Sequence, residues 1–374
     1  MPAQIVRLGD IVEFAYGAGL PKAKRRAGSI PVYGSNGITG HHDEALVDCP
    51  TVIVGRKGSA GAISLTDGPS YPIDTTYYTK PRVANSVDVK YLFYVLERAN
   101  LGKLATATGV PGLNREDAYR TEVPFHPIEE QRRIVDILDR AAGIRRLRRQ
   151  AQDTSRLIIP ALFNTMFGDP ATRASKWPIA ALGDMLAAID YPIRTGPFGS
   201  QLLHSEFVEE GIPVLGIDNV VTNHFRWTVS RCITPDKFVG FRRFKINPHD
   251  LIITIMGTTG RCAVAPDQIP ECMSTKHLCV LSLDQATIAP KYAWAALLYD
   301  PFVRAQTERT GHGAIMEGWN MGLVRRLRLR IPPLRLQQQF VETCRDIELL
   351  MERQRKAAEQ ERGTQVALAS RLLS

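Results

Sequence analysis

The feature that most constrains this chain is a skeleton written twice. Asn114, Pro127 and Gln131 in "NREDAYRTEVPFHPIEEQ" recur as Asn320, Pro333 and Gln337 in "NMGLVRRLRLRIPPLRLQ", each 206 residues after its counterpart. Other landmarks keep their order at shorter offsets. "LGD" stands at Leu8 and Leu182, "IPV" at Ile30 and Ile212, Gly58 and Gly61 answer to Gly257 and Gly260, and Tyr91 answers to Tyr292. The offset grows from 174 to 206, so the second copy carries 32 extra residues. Within 374 residues this pattern points to an old tandem duplication of one folding unit.

Each copy opens with short β-branched runs broken by Gly, Pro and Asn, which are strand and turn signals. The first has "SIPVYGSNG", "TVIVGRKGSAGAISL" and "PIDTTYYT", and the second "GIPVLGIDNVV", "DLIITIMGTTG" and "HLCVLSLD". A short helix is expected around Tyr91 to Glu97 and around Tyr292 to Leu298. Each copy closes on a strand ending in proline, "TEVPFHP" and "LRLRIPP", and the alternation in "LVRRLRLR" reads as a strand with one buried face. Long helices are then expected from Ile128 and from Leu334, since the only breakers are Gly143, before Pro160, and Gly363. Ile137, Ile144, Ala151 and Ile158 fall seven apart, as do Cys344, Met351 and Ala358. This imperfect heptad suggests two helices packed on each other; the alternative is that each lies on its own domain. The expected fold class is α+β. Two tandem pseudo-symmetric domains of mixed β-sheet with short helices, 1–126 and 179–332, are followed by long helices, 127–166 and 333–374, with 167–178 as linker.

Composition narrows the function classes. Hydrophobic residues at 44% and charged residues at 23% are ordinary for a globular protein, and no apolar run approaches the roughly 18 residues of a membrane span. The opening "MPAQIVRLGDIVEFA" lacks a signal-peptide pattern, so a cytoplasmic protein is expected. Six cysteines without CxxC spacing argue for buried free thiols. A net charge of +9 favours a polyanionic partner, with basic clusters in "PKAKRRAG" and "IRRLRR". Catalytic motifs fail one by one. "VGRKGSAG" lacks the Gly-Lys-Ser/Thr order of a phosphate loop, and "IPPL" at Ile331 lacks the amide and aromatic of an adenine methyltransferase loop. Asp74 with "DVK" at Asp88 only faintly resembles a nuclease triad, and "HHD" at His41 reads as a solvated turn. A binding and scaffolding protein is the reading that remains. Its alternatives are a stand-alone DNA-modifying enzyme and a coiled-coil adaptor without DNA readout.

The whole chain resembles the specificity (S) subunit, or HsdS, of type I restriction-modification systems. The resemblance rests on the proline followed four residues later by glutamine in "PIEEQRRIVDIL" and "PLRLQQQFVETC", on the paired "VGRKGSAG" and "MGTTGRC" loops, and on "LGD" opening each half. The family usually has Glu before that Gln; Glu130 conforms and Leu336 departs. The resemblance implies two target recognition domains that each read half of a bipartite double-stranded DNA target. It implies that the two helices pack antiparallel as a coiled-coil-like spacer, and that the chain has no catalytic activity and binds no cofactor itself. Two methyltransferase (M) subunits would supply S-adenosylmethionine-dependent methylation, and restriction (R) subunits ATP- and Mg-dependent translocation and cleavage. Pro127, Glu130, Gln131, Pro333 and Gln337 are the implied docking residues. DNA contacts are expected from Lys22, Lys24, Arg25, Arg26, Ser35, Asn36, Arg56 and Lys57 in the first copy. In the second they are expected from Ser200, Gln201, Thr258, Thr259, Arg261, Lys276 and His312, because these residue types bind phosphates and base edges.

Overall fold

The computed structural model describes residues 3–106, 111–168, 177–308 and 319–372. They form two compact units, the first of Met1–Gln150 with Lys356–Ser374 and the second of Ala151–Arg355.

In the first unit β1 (Gln4–Arg7) leads through α1 (Leu8–Ile11) into β2 (Val12–Tyr16), and β1 pairs antiparallel with β9 (Glu122–Phe125). A four-stranded sheet has the order β2, β8 (Thr76–Pro81), β5 (Val52–Gly55), β6 (Ile63–Leu65), and a three-stranded sheet the order β4 (Gly37–His42), β3 (Ile30–Gly34), β7 (Tyr71–Pro72). All pairs are antiparallel except β3 with β7. Strand β5 is buried along its length, as expected for Val-Ile-Val-Gly in a sheet covered on both faces. Helix α2 (Val89–Ala99) places Tyr91, Leu92, Val95 and Leu96 in the core, and the Asp88 carboxylate caps it by accepting from the Lys90 and Tyr91 amides. "DVK" is therefore a helix start, with Lys90 paired to Asp139 at 2.7 Å. The short α3 (Arg115–Tyr119) precedes β9.

The second unit repeats this plan strand for strand. β10 (Ile179–Ala181) pairs with β18 (Arg328–Arg330); the four-stranded sheet is β11 (Ile193–Thr195), β17 (Leu278–Leu281), β14 (Leu251–Thr254), β15 (Cys262–Val264); the three-stranded sheet is β13 (Cys232–Ile233), β12 (Ile212–Leu215), β16 (Met273–Ser274). Again the pair β12 with β16 is parallel. The extra residues fall between strands: the tight turn from Gly34 to Gly37 becomes the segment 216–231, and α6 (Pro235–Val239) is inserted before β14. Helix α7 (Pro290–Tyr299) takes the place of α2 and is followed by α8 (Pro301–Glu308). "LVRRLRLR" is not one strand. Its first half is helix α9 (Met321–Arg326), because the Asn320 side chain accepts from the Leu323 amide and starts a turn. Of the six cysteines five are buried free thiols, but Cys49 is exposed.

The long helices are α4 (Ile128–Ser155) and α10 (Leu334–Leu372), each of which runs from one unit into the other. The first stops sooner than its breakers suggest. A turn at Arg156 and Leu157 separates it from α5 (Ile158–Phe167), where Pro160 sits in the first turn. There its missing N–H costs nothing; inside a continuous helix it would cost about 3 kcal/mol. The expected seam also shifts. Ile144 and Ile158 are exposed, while Ile134, Val135 and Leu138 enter the first unit's core, and Phe340 and Cys344 join Ile159, Phe163 and Phe167 in the second's. The start of each long helix thus lies on the domain that precedes it. The expected linker 167–178 falls mostly outside the described residues. Among those residues no helix is long and apolar enough to cross a membrane.

Candidate nucleic-acid interface

The repeated Asn, Pro and Gln are the joints that fix each unit's rim. Asn114 caps α3 by accepting from the Glu116 amide, as Asn320 caps α9. The Pro127 carbonyl accepts the first amides of α4, from Glu130 and Gln131, and the Pro333 carbonyl those of α10, from Leu336 and Gln337. Both glutamines are fully buried. Gln131 accepts from the Asp88 amide at 2.8 Å and donates to the carbonyls of His126 (2.8 Å) and Ser86 (3.0 Å). Gln337 does the same with the Ala289 amide and the carbonyls of Pro332 and Thr287. Each glutamine therefore ties the long helix to the segment that opens α2 or α7. The hydrogen bonds of both amides are spent inside their own unit, where they serve as joints of the fold. Glu130 pairs with Arg133 at 2.8 Å, and Pro127 and Pro333 are exposed at their helix starts.

The glycine loops are equally internal. Gly58 and Gly61 have φ of 78° and 79°, and Gly257 and Gly260 have 74° and 80°, the left-handed region that glycine enters without cost. At Gly61 a Cβ would also lie 2.2 Å from the Gly102 nitrogen. The amides of Arg56 and Lys57 donate to the Thr75 carbonyl, that of Gly58 to Pro111 and that of Gly61 to Gly55. With these N–H groups turned inward the loop cannot cradle a phosphate, and what it displays is side chains. In the second unit Thr254 holds the corresponding loop, bonding to the Thr258 carbonyl and accepting from the Arg261 amide.

The expected contact residues divide into groups. Ser35 lies against the first glycine loop, its Oγ 3.6 Å from where a Gly58 Cβ would stand, and Asn36 and Lys57 are exposed beside it. Arg56 donates to the Asp74 carbonyl at 2.7 and 3.1 Å. Lys22 and Lys24 are exposed on their own turn, whereas Arg25 donates to the Thr39 carbonyl and Arg26 pairs with Asp43 and Glu44. Those two carboxylates hold the Arg26 guanidinium above its usual range. The two histidines of "HHD" end strand β4 and Asp43 follows in a bend: His41 is exposed, and His42 is buried and accepts from the Arg26 amide. In the second unit Thr258, Thr259 and Arg261 are exposed on the glycine loop, Lys276 is half-buried, and Gln201 accepts from the Phe198 amide. Of Ser200 only the backbone is described, and His312 lies outside the described residues. No cluster of three His, Cys, Asp or Glu side chains suited to a metal occurs among the described residues.

The sequence reading missed a ladder of alternating guanidinium groups and rings in the first unit. Arg56 and Arg115 each stand 5.3 Å from the Tyr16 ring centre, and Arg115 and Arg82 each 5.8 Å from that of Tyr119. Tyr77 lies beside Tyr16 at 5.1 Å and donates to the Leu113 carbonyl. Burial pushes the Tyr77 phenol up to about 12. Gly9, the glycine of "LGD", makes room for Tyr119, whose Cβ would be 2.8 Å from an added Cβ; Gly183 makes the same room for Arg325. The available signal was positional: Tyr16 precedes Gly17, which corresponds to Gly196, and Arg115 follows the repeated Asn114.

The type I restriction modification DNA specificity domain family matches residues 2–151. No curated protein sequence matches the chain significantly. Among solved structures, the chain is similar to the S subunit of a type I restriction-modification system from M. genitalium, at 15% identity and a TM-score of 0.62 over 99% of this chain and 96% of that one. It is also similar to a chain from work on complex assembly and conformational transition of the type I R-M system, at 16% identity and a TM-score of 0.64 over 100% and 97%. At these identities the similarity carries the fold.

Proposed function

From the match of residues 2–151 to the type I restriction modification DNA specificity domain family, we infer that this chain is the subunit that chooses the DNA sequence, each of its two α+β units reading one half of a bipartite target. The observation that carries the two-reader reading is the repeat itself. Both units keep the same frame of Asn cap, glycine loop and buried Gln, and both surround it with different side chains. A common frame holds two readers in equivalent poses, and different rims let them read different bases.

In this reading the long helices space the two readers, pack antiparallel and dock two methyltransferase subunits, and the chain performs no chemistry of its own. Those subunits supply adenine methylation with S-adenosylmethionine. Restriction subunits add translocation and cleavage driven by ATP and Mg, all in the cytoplasm. The test is reconstitution. The purified chain should neither methylate nor cut DNA, and with the M subunits of its own system it should direct methylation to one bipartite sequence. Methyl transfer or cleavage by the chain alone would overturn the assignment.

A further inference from the structure

The geometry points to Arg115 as a base-reading residue of the first unit, held in pose by Tyr16, Arg56 and Tyr119, with a guanine edge in the major groove as its ligand. The inference rests on the two-reader function above and assigns part of it to side chains.

Equivalence between the units follows from strand register. Tyr16 pairs with Tyr77 and Thr195 with Cys279, while Arg56 and Ile255 both donate their amides to the segment before that paired strand, to Thr75 and His277. Arg115 and Met321 both follow the capping asparagine. The frame is common, and at the same rim the first unit has Tyr, Arg and Arg where the second has Thr, Ile and Met. Tyr119 and Arg82 likewise correspond to Arg325 and Asp284. Tyr119 and Arg82 also hold the first unit's frame, the Tyr119 hydroxyl accepting from the Phe14 amide and Arg82 donating to the Gly9 carbonyl. Among the described residues Tyr16 and Arg115 have no such side-chain bond to the frame, which marks them as the part that distinguishes what the first unit reads.

The chemistry is specific. Arg56 spends Nε and one Nη on the Asp74 carbonyl, so it serves mainly to brace Tyr16. The Arg115 side chain makes no hydrogen bond among the described residues; its Nε is buried, its nearest carboxylate is Glu116 at 3.6 Å, and the side chain is 35% exposed. Its two terminal nitrogens remain as donors on a guanidinium 5.3 Å from the Tyr16 ring centre and 5.8 Å from that of Tyr119. Tyr16 is 52% exposed and stands on a strand rather than a loop, so the pose is set before DNA arrives. A planar pair of donors matches the O6 and N7 acceptors of guanine, whereas lysine lacks the fork and glutamine matches adenine.

The test uses the full chain assembled with its own M subunits, with methylated sites sequenced for wild type, Arg115→Lys and Arg115→Gln. Arg115→Lys should lose roughly tenfold in preference at one G·C pair of one half-site. Arg115→Gln should move that position toward A·T, and the other half-site should stay unchanged. Non-specific DNA binding by Arg115→Lys should remain within about twofold of wild type, since the charge is kept. An unchanged motif in both variants, or an equal loss at all sequences, overturns the base-reading role. A wild-type complex without any bipartite motif would instead overturn the function on which the inference rests.

Discussion

The side-chain amide of Gln131 donates to the main-chain carbonyl of His126 at 2.8 Å, closing a buried loop at the entrance to the long helix. Removing that side chain in Gln131→Ala strands the Asp88 amide and two carbonyls, at a cost of about 2–4 kcal/mol. Denaturant unfolding should show this loss, and Gln337→Ala should repeat it in the second unit. If either glutamine instead served to bind a partner, its replacement would leave unfolding unchanged and weaken assembly alone.

His126 places a titrating group at a position where the second unit has Pro332. Its Nδ1 lies 2.8 Å from the Tyr91 hydroxyl, whose own proton goes to the Pro124 carbonyl, so the histidine donates here as a neutral ring. Burial lowers its pKa from 6.5. The folded state thus binds the proton less readily than the unfolded chain, so stability is complete above pH 6.5 and declines as pH falls through 6.5 toward the folded value. Unfolding measured at stepped pH should show this decline in wild type and a shallower one in His126→Leu. Equal slopes would place the titrating group elsewhere.

The basic loop separates into free and committed charges. Lys22→Ala with Lys24→Ala should reduce the salt slope of DNA binding by about 2, at roughly 0.9 for each phosphate that is no longer neutralised. Arg26→Ala should leave the slope nearly unchanged, because that guanidinium is already held by Asp43 and Glu44. Binding titrations across salt concentrations distinguish the two, and a slope that falls only with Arg26 would reverse the assignment.

The two glycines of the first loop should differ in tolerance. Gly58→Ala meets nothing closer than 3.6 Å and should cost about 1–2 kcal/mol for its left-handed backbone. Gly61→Ala must also displace backbone at Gly102 and should cost clearly more. Thermal unfolding of the two variants ranks them directly.

What the sequence made legible was the part written twice. The Asn, Pro, Gln and Gly landmarks mark caps, helix starts and left-handed turns, whose residue preferences are local and strong. The side-chain rim was harder to read. Tyr16, Arg56, Arg115 and Tyr119 lie far apart in the chain and meet only because β2, the glycine loop and α3 converge. Local patterning also misplaced "LVRRLRLR", where one capping asparagine overrode the alternation, and the heptad line through Ile144, where packing on each domain's own core decided which face was buried.

The claim that the two units are separate readers is tested most directly by sequencing methylated sites made by a chimera. Residues 3–123 would be replaced by the matching domain of a relative with a different target, and the chimera expressed with the native M subunits. The account predicts that one half of the bipartite sequence changes to the donor's while the other half is retained. A motif in which both halves change, or neither does, would contradict it.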